Sequence, residues 1–429
     1  MRTTEGAWVG WPGRADLDIE PFDFDGMRLV PVPLSGEDIE LYYEGFSNDT
    51  IWPLYHDVIA PPGYHREWWD AYVQVNRRFA RAAADAAAPG ATVWVHDYQL
   101  QLVPRLLREM RDDLVIGYFH HIPFPAYGLY SQLPWRRQVI EGLLGADVIG
   151  FQRVADAGNF ARAVRRQFAY ETKAGAITVP QDDGTKRIAI AKAYPISIDV
   201  SQYDERARHP DIQARAREIR EGLGDRKLLL GVDRLDYTKG IRHRLKAFGE
   251  LLADGRLTVE HVTLVQVASP SRERVGAYMQ LRDEIEQDVG RINGEFDTVD
   301  HSAVRYLHQS YPRDEMVALY LAADVMLVTA LRDGMNLVAK EYIASRVHGD
   351  GALVLSEFAG AADELTQAIK VNPHDIDGLK DAIMRAVELD PKEQTRRMRA
   401  LRRRVREHDV ADWSARFIAD LERMRAQRS

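Results

Sequence analysis

Short apolar runs alternate along this chain with stretches whose apolar residues recur at helical spacing. In the first half, the runs near Trp8–Trp11, Leu29–Val32, Thr92–Val95, Val115–Phe119 and Val148–Phe151 predict strands. Trp68–Ala88 places Trp69, Tyr72, Val75 and Phe79 on one face, which predicts an amphipathic helix with its aromatics in the core. Ala174–Arg187, with Gly175, Pro180 and Asp182-Asp-Gly184, predicts an edge hairpin. The second half repeats the rhythm, with strands predicted at 227–232, 262–267, 303–307, 324–329 and 352–356. Continuously apolar strands separated by helices read as parallel sheets of an α/β protein, because helices cover both faces.

Tyr194-Pro-Ile-Ser-Ile-Asp199 closes the first set and leads into the charged segment Asp204–Arg226, so a division is expected near residue 200. The chain of 429 residues is long enough for two cores, 1–200 and 201–395, followed by C-terminal helices over 396–429. In that last part, Met398, Leu401 and Val405 keep helical spacing, and the arginines of Arg396–Arg406 read as a solvated face rather than a seat for an anionic partner.

Composition narrows the classes. The 57 basic and 65 acidic side chains give a net charge of −8, which argues against a general nucleic-acid binder and leaves room for a local cationic site. No cysteine is present, so disulfides and thiolate metal sites are excluded. No apolar run has membrane-spanning length and none reads as a signal peptide, so a cytoplasmic chain without a membrane partner is expected.

The candidate chemistry stands where two strands end. Leu228, Leu229, Leu230 and Val232, bounded by Gly231, run into Arg234-Leu-Asp-Tyr-Thr-Lys-Gly240. Arg234 and Lys239 then lie at a carboxyl edge, where open α/β sheets bind ligands, and a guanidinium fork with an ammonium suits a diphosphate. Val325–Val328 is followed by a turn at Asp333 and Gly334, with Met335–Tyr342 predicted as the first two turns of a helix. The free N–H groups of Met335, Asn336 and Leu337 would face phosphate oxygens there, with Asp333 on a sugar hydroxyl and Glu341 on a ribose. The ordinary alternatives are a solvated basic turn and a capped helix. The turn after Leu353-Val-Leu-Ser356, Glu357-Phe-Ala-Gly360, reads as a tight strand-to-helix connection, with donor contact by its amides as the rival reading.

These segments resemble the retaining trehalose-6-phosphate synthase family. The resemblance rests on Arg234–Gly240, on Arg332-Asp-Gly-Met-Asn-Leu-Val-Ala-Lys-Glu-Tyr342 and on His120-His-Ile-Pro-Phe-Pro125. Tyr42-Tyr-Glu-Gly-Phe-Ser-Asn48, Trp52-Pro-Leu-Tyr-His56, His96-Asp-Tyr-Gln-Leu100 and Gly290-Arg-Ile-Asn-Gly294 match as well, so the likeness runs from about Trp8 to the C-terminus.

The resemblance implies two Rossmann-like domains facing a cleft, the glycosyltransferase-B fold, with the C-terminal helices over 396–429 and their apolar stripe Trp413, Phe417 and Leu421 returning to the first domain. It implies glucose transfer from a nucleoside-diphosphate-glucose to glucose 6-phosphate with retention, giving α,α-trehalose 6-phosphate. By the same resemblance Arg234 and Lys239 hold the donor diphosphate, Asp333, Gly334, Met335, Asn336, Leu337, Val338, Ala339, Lys340 and Glu341 line the donor, and Tyr311 touches the base through its backbone. Tyr43, Trp52, Asp97, Arg272 and Trp11 match acceptor positions, with Arg272 on the phosphate, and His121 stands beside the transferred glucose. Read alone, Asp97 could be a strand-end cap and His121 a core histidine. No Asp-x-Asp pair stands on a strand end as a metal ligand, so no metal and no cofactor are expected. The donor base, uracil, guanine or adenine, stays open, as does assembly into a homo-oligomer.

One departure bears on activity. The family opens with a strand ending in Ser-Asn-Arg and a Gly-Gly-Leu loop, which this sequence lacks before Gly6-Ala-Trp-Val-Gly-Trp11. Met1 then reads as an internal methionine, and the 429-residue form is expected to have weak or no synthase activity and poor solubility. The rival functions are a glucosylglycerol-phosphate synthase or pseudoglycosyltransferase on the same scaffold, and an inactive binding protein.

Overall fold

The computed structural model describes residues 6–427, and the reading of Met1 lies outside them. The chain divides into two compact units, one running to Tyr194 and resumed from Ala415, the other spanning Pro195–Ser414.

In the first unit, β1 (Ala7–Gly10), β2 (Phe22–Phe24) and β3 (Met27–Pro31) form a small sheet in the order β1-β3-β2. A second sheet holds β4 (Thr92–His96), β5 (Val115–Phe119), β6 (Val148–Phe151), β7 (Thr172–Lys173), β8 (Ala176–Pro180) and β9 (Lys186–Ala193), ordered β4-β5-β6-β9-β8-β7. Strands β4, β5, β6 and β9 pair in parallel, whereas β7, β8 and β9 pair antiparallel as an edge hairpin. Every residue of β5 and β6 is buried, which accounts for their unbroken apolar sequences. Helix Arg66–Ala86 buries Trp69, Tyr72, Val75 and Phe79 as its spacing predicts.

The glycine in each of those two apolar strands has a packing cause. A Cβ at Gly117 or Gly150 would run into the ring of Phe417, which the C-terminal helix Val410–Ala426 brings to this sheet. Phe417 stacks on Trp94 with ring centroids 4.5 Å apart. Nearby, the buried Asp420 accepts from Tyr194 Oη at 2.5 Å and Lys192 Nζ at 2.9 Å.

The second unit is built on one parallel sheet. Its strands are β10 (Lys227–Arg234), β11 (Val262–Ser269), β12 (Val304–Leu307), β13 (Val325–Val328), β14 (Ala352–Ser356) and β15 (Ile369–Val371), ordered β12-β11-β10-β13-β14-β15. All five pairings are parallel. Apolar residues on opposite faces of this sheet enter two separate cores under the flanking helices, so this unit is Rossmann-like, and the parallel strands β4, β5, β6 and β9 interleaved with helices give the first unit the same plan.

The helix Pro391–Glu407 belongs wholly to this second unit, where Met398, Leu401 and Val405 join the core. Only the chain from Ala415 lies in the first unit, rather than everything after residue 396. The arginines of Pro391–Glu407 are paired within the second unit: Arg402 and Arg406 with Asp204 of helix Val200–Arg208, and Arg396 and Arg397 with Glu393.

Candidate active site

The end of β10 and the loop after β13 meet in the second unit. Strand β10 continues past Gly231 to Arg234, so Gly231 lies inside the strand and does not bound it. The chain then turns through Tyr237–Lys239, where the Asp236 carboxylate accepts from Thr238 N at 2.9 Å, and leaves through Gly240 in the left-handed region at φ +65°. The neighbouring loop is laced to it: Leu331 N–H donates to the Thr238 carbonyl at 2.7 Å. Lys239 Nζ reaches Asp333 Oδ2 at 2.6 Å, and Asn336 Nδ2 donates to the same oxygen at 3.1 Å.

The helix after this loop covers Leu337–Ser345, beginning two residues later than the expected start at Met335. Asn336 takes a positive φ of 76° and caps it, its side-chain oxygen accepting from Ala339 N. Leu337 and Val338 therefore supply the first-turn N–H groups, while Met335 is a buried residue ahead of the helix. Glu341 accepts from Tyr320 Oη at 2.9 Å. The Lys340 ammonium is buried and donates to Glu364 at 2.6 Å and to the Ile196 carbonyl at 2.8 Å, so its charge is directed into the protein. Burial pulls its pKa down against the opposing pull of Glu364. Tyr311 is half-buried against the core.

Asp236 organises the cations. Its carboxylate is buried; burial pushes its pKa up, but Arg272, Lys239 and Arg234 together hold it below the ordinary value. Arg272, itself at positive φ, pairs with Asp236 at 3.4 Å and contacts Tyr278 Oη. The sequence reading assigned Asp236 and Tyr278 no role, although Asp236 stands inside the Arg234–Gly240 motif.

The turn after β14 uses its amides internally. Glu357 N donates to Val371, Gly360 N to Asp333 and Ala361 N to Met335, which fits a tight connection bracing the Asp333 loop.

In the first unit, His121 and Asp97 come together. Asp97, at φ +73°, accepts from Tyr98 N at 2.9 Å and from His121 N at 3.2 Å, so its carboxylate caps the turn after β4. His96 Nδ1 lies 3.0 Å from His121 Nε2, a partner absent from the sequence reading. Burial lowers His121 to about 4, and burial with the neighbouring His121 lowers His96 to about 3, so both are neutral at pH 7. His120 is the core histidine of the pair, fully buried against Tyr118 Oη at 2.9 Å.

Of the remaining acceptor candidates, Tyr43 and Trp11 face each other with ring centroids 5.9 Å apart. Trp52 is buried against His56 at 4.2 Å and Tyr98 at 5.7 Å, and Tyr98 Oη donates to Asn48 at 2.8 Å. Tyr43 and Asn48 stand on Ile39–Ile51, a π-helix that the 3.6-residue pattern cannot report. Among the described residues, no three His, Asp or Glu side chains gather as ligands for a metal ion.

Comparison with known proteins adds the family. The model of glycosyltransferase family 20 matches residues 1–423. A trehalose-6-phosphate synthase from Mycobacterium avium (strain 104) is 58% identical over 97% of this chain and 87% of its own length. A solved alpha,alpha-trehalose-phosphate synthase (UDP-forming) from Burkholderia vietnamiensis superposes with a TM-score of 0.93 at 35% identity, covering 100% of this chain and 92% of that one. The Burkholderia xenovorans synthase (UDP-forming) solved in complex with glucose-6-phosphate gives 0.92 at 35% identity, covering 98% of this chain and 94% of that one.

Proposed function

This chain belongs to glycosyltransferase family 20, and from that premise we infer that it transfers glucose from a nucleoside-diphosphate-glucose to glucose 6-phosphate with retention, giving α,α-trehalose 6-phosphate. The relatives favour this over glucosylglycerol-phosphate synthesis, cyclitol coupling or an inactive binding role. The observation that carries the reading is the contact of Lys239 with Asp333, beside Arg234 and the first-turn N–H groups of Leu337 and Val338.

The chemistry follows from that placement. The bond between the anomeric carbon and the β-phosphate oxygen breaks, and its electron pair leaves on the phosphate. Arg234, Lys239 and the helix start stabilise that growing charge, the electrostatic term that dominates many such reactions. The acceptor hydroxyl oxygen bonds to the same face of the anomeric carbon, and its proton passes to the departing phosphate oxygen. Asp333 accepts from a glucose hydroxyl, Glu341 from the ribose, and the Tyr311 backbone meets the base. His121, neutral because it is buried, steadies a sugar hydroxyl without adding charge.

On the acceptor, Arg272 takes the phosphate by exchanging part of its pairing with Asp236, while Tyr43, Trp52, Asp97 and Trp11 bind the sugar. Uracil is the proposed donor base, on the UDP-forming relatives. A cytoplasmic location and self-association complete the proposal. Among the described residues, no helix is long and apolar enough to cross a membrane.

Incubation with UDP-, GDP- and ADP-glucose plus glucose 6-phosphate, followed by NMR of the product, tests the reading. An α,α-linked disaccharide phosphate with stoichiometric nucleotide release supports it. Nucleotide release without that product, or no release with any donor, refutes it.

A further inference from the structure

Arg244 is among the largest fully buried side chains of the protein, and its charge is what calls for explanation. It stands on helix Ile241–Ala253, the helix that begins after Gly240, among the apolar neighbours Ile241, Leu245 and Phe248. An apolar residue would fill such a place without the cost of desolvating a guanidinium. Instead, Nη1 donates to Asp233 Oδ2 at 2.7 Å and to Gln266 Oε1 at 2.5 Å, and Nε donates to Thr329 Oγ1 at 3.2 Å. Gln266 Nε2 also donates to Asp233 Oδ2 at 3.2 Å, and Thr329 Oγ1 to the Gly240 carbonyl at 3.3 Å. Nη2 is buried with no partner among the described residues. Gly231 makes the room, since a Cβ there would run into the guanidinium.

The partners explain the charge. Asp233 lies in β10 immediately before its last residue, Arg234; Gly240 follows Lys239, and Thr329 opens the loop that carries Asp333. One rigid, planar fork thus joins the ends of β10 and β13 to the middle of β11, beneath both turns. Resting on the donor-site reading above, we propose that Arg244 is a positioning residue for the donor diphosphate. By clamping Asp233, Gln266 and Thr329, it fixes where Arg234 and Lys239 present their charges. Electrostatic stabilisation of a leaving group depends on such placement, because small displacements cost rate steeply.

The test compares Arg244→Lys, which keeps the charge and loses the fork, with Thr329→Val, which removes only the bridging hydroxyl at nearly constant volume. Uridine diphosphate affinity is read by calorimetry, and the KM values of UDP-glucose and glucose 6-phosphate by initial rates. Arg244→Lys is expected to weaken diphosphate binding and raise the UDP-glucose KM about tenfold, and Thr329→Val about threefold. The glucose 6-phosphate KM stays constant in both. A merely structural lesion would lower kcat through the active fraction and leave both KM values alone, and that pattern overturns the proposal. Should Arg244→Lys fail to fold, Thr329→Val decides: unchanged diphosphate affinity overturns the inference. Lys239→Ala in the same calorimeter shows whether the donor-site reading beneath it stands.

Discussion

Lys239 Nζ lies 2.6 Å from Asp333 Oδ2, joining the turn after β10 to the loop after β13. The cation assigned to the donor diphosphate thereby rests on the carboxylate assigned to the transferred sugar, and both side chains are largely buried. On the proposed reading, Asp333 and the donor diphosphate therefore compete for the Lys239 ammonium.

Asp333→Asn separates them. The amide keeps a polar contact to a sugar hydroxyl but releases Lys239 from its counter-charge. Calorimetry is expected to show uridine diphosphate binding as tightly as in the parent protein, or tighter. The rate of disaccharide phosphate formation falls by about a hundredfold, near ~2.7 kcal/mol of lost transition-state stabilisation. A large loss of diphosphate affinity would contradict the competition.

Gly240→Ala tests the turn itself. At φ +65° a side chain is strained, and its Cβ would meet the Thr329 carbonyl. We expect a loss of about 2 kcal/mol or more in urea unfolding, since strained backbone alone accounts for roughly 1–3 kcal/mol. A neutral substitution would mean that the two turns are not laced as described.

The buried histidines set a pH dependence. An unfolded histidine takes up its proton near pH 6.5, whereas folded His121 does so only near 4 and His96 and His120 near 3. Across that window the unfolded chain binds more protons, so stability is full above about 6.5 and falls as pH drops towards these folded values. Thermal melting from pH 8 to 4 should show this decline, with a shallower slope for His121→Asn. Activity should show no inflection near 6.5 from His121.

Phe417→Ala probes the C-terminal helix. The ring is fully buried over Gly117, Gly150 and Trp94, so truncation is expected to cost roughly 3–5 kcal/mol. Gly117→Ala crowds the same seat and should cost about 1–3 kcal/mol. Urea denaturation checks both, and a small effect for Phe417→Ala would contradict the packing.

What the sequence disclosed follows the reach of local pattern. Unbroken apolar runs located β5, β6, β10 and β11, because a strand covered on both faces needs no partner to be recognised. The motif around Arg234 and Lys239 was legible for the same reason, since strand, turn and helix are contiguous. Long-range hydrogen bonding was not. Gly231 looked like a strand boundary because the guanidinium it accommodates comes from the following helix. Met335 falls ahead of the helix because Asn336 at positive φ caps it, a conformation the turn residues Asp333 and Gly334 do not announce. The short β15 escaped because Ile369–Val371 is too brief to show a period. His96 and Arg244 carry no local sign of the residues they hold, which lie on other elements, and Asp236 gives none of its pairing with Arg272 and Tyr278.

Replacing Arg234 and Lys239 together by alanine, in a protein whose circular dichroism matches the parent, tests the central claim most directly. Removal of one charge-stabilising group commonly costs about 10²–10³ in rate, so formation of α,α-trehalose 6-phosphate from UDP-glucose and glucose 6-phosphate should drop by about 10⁴ or more. Disaccharide phosphate formation at the parent rate would contradict the account.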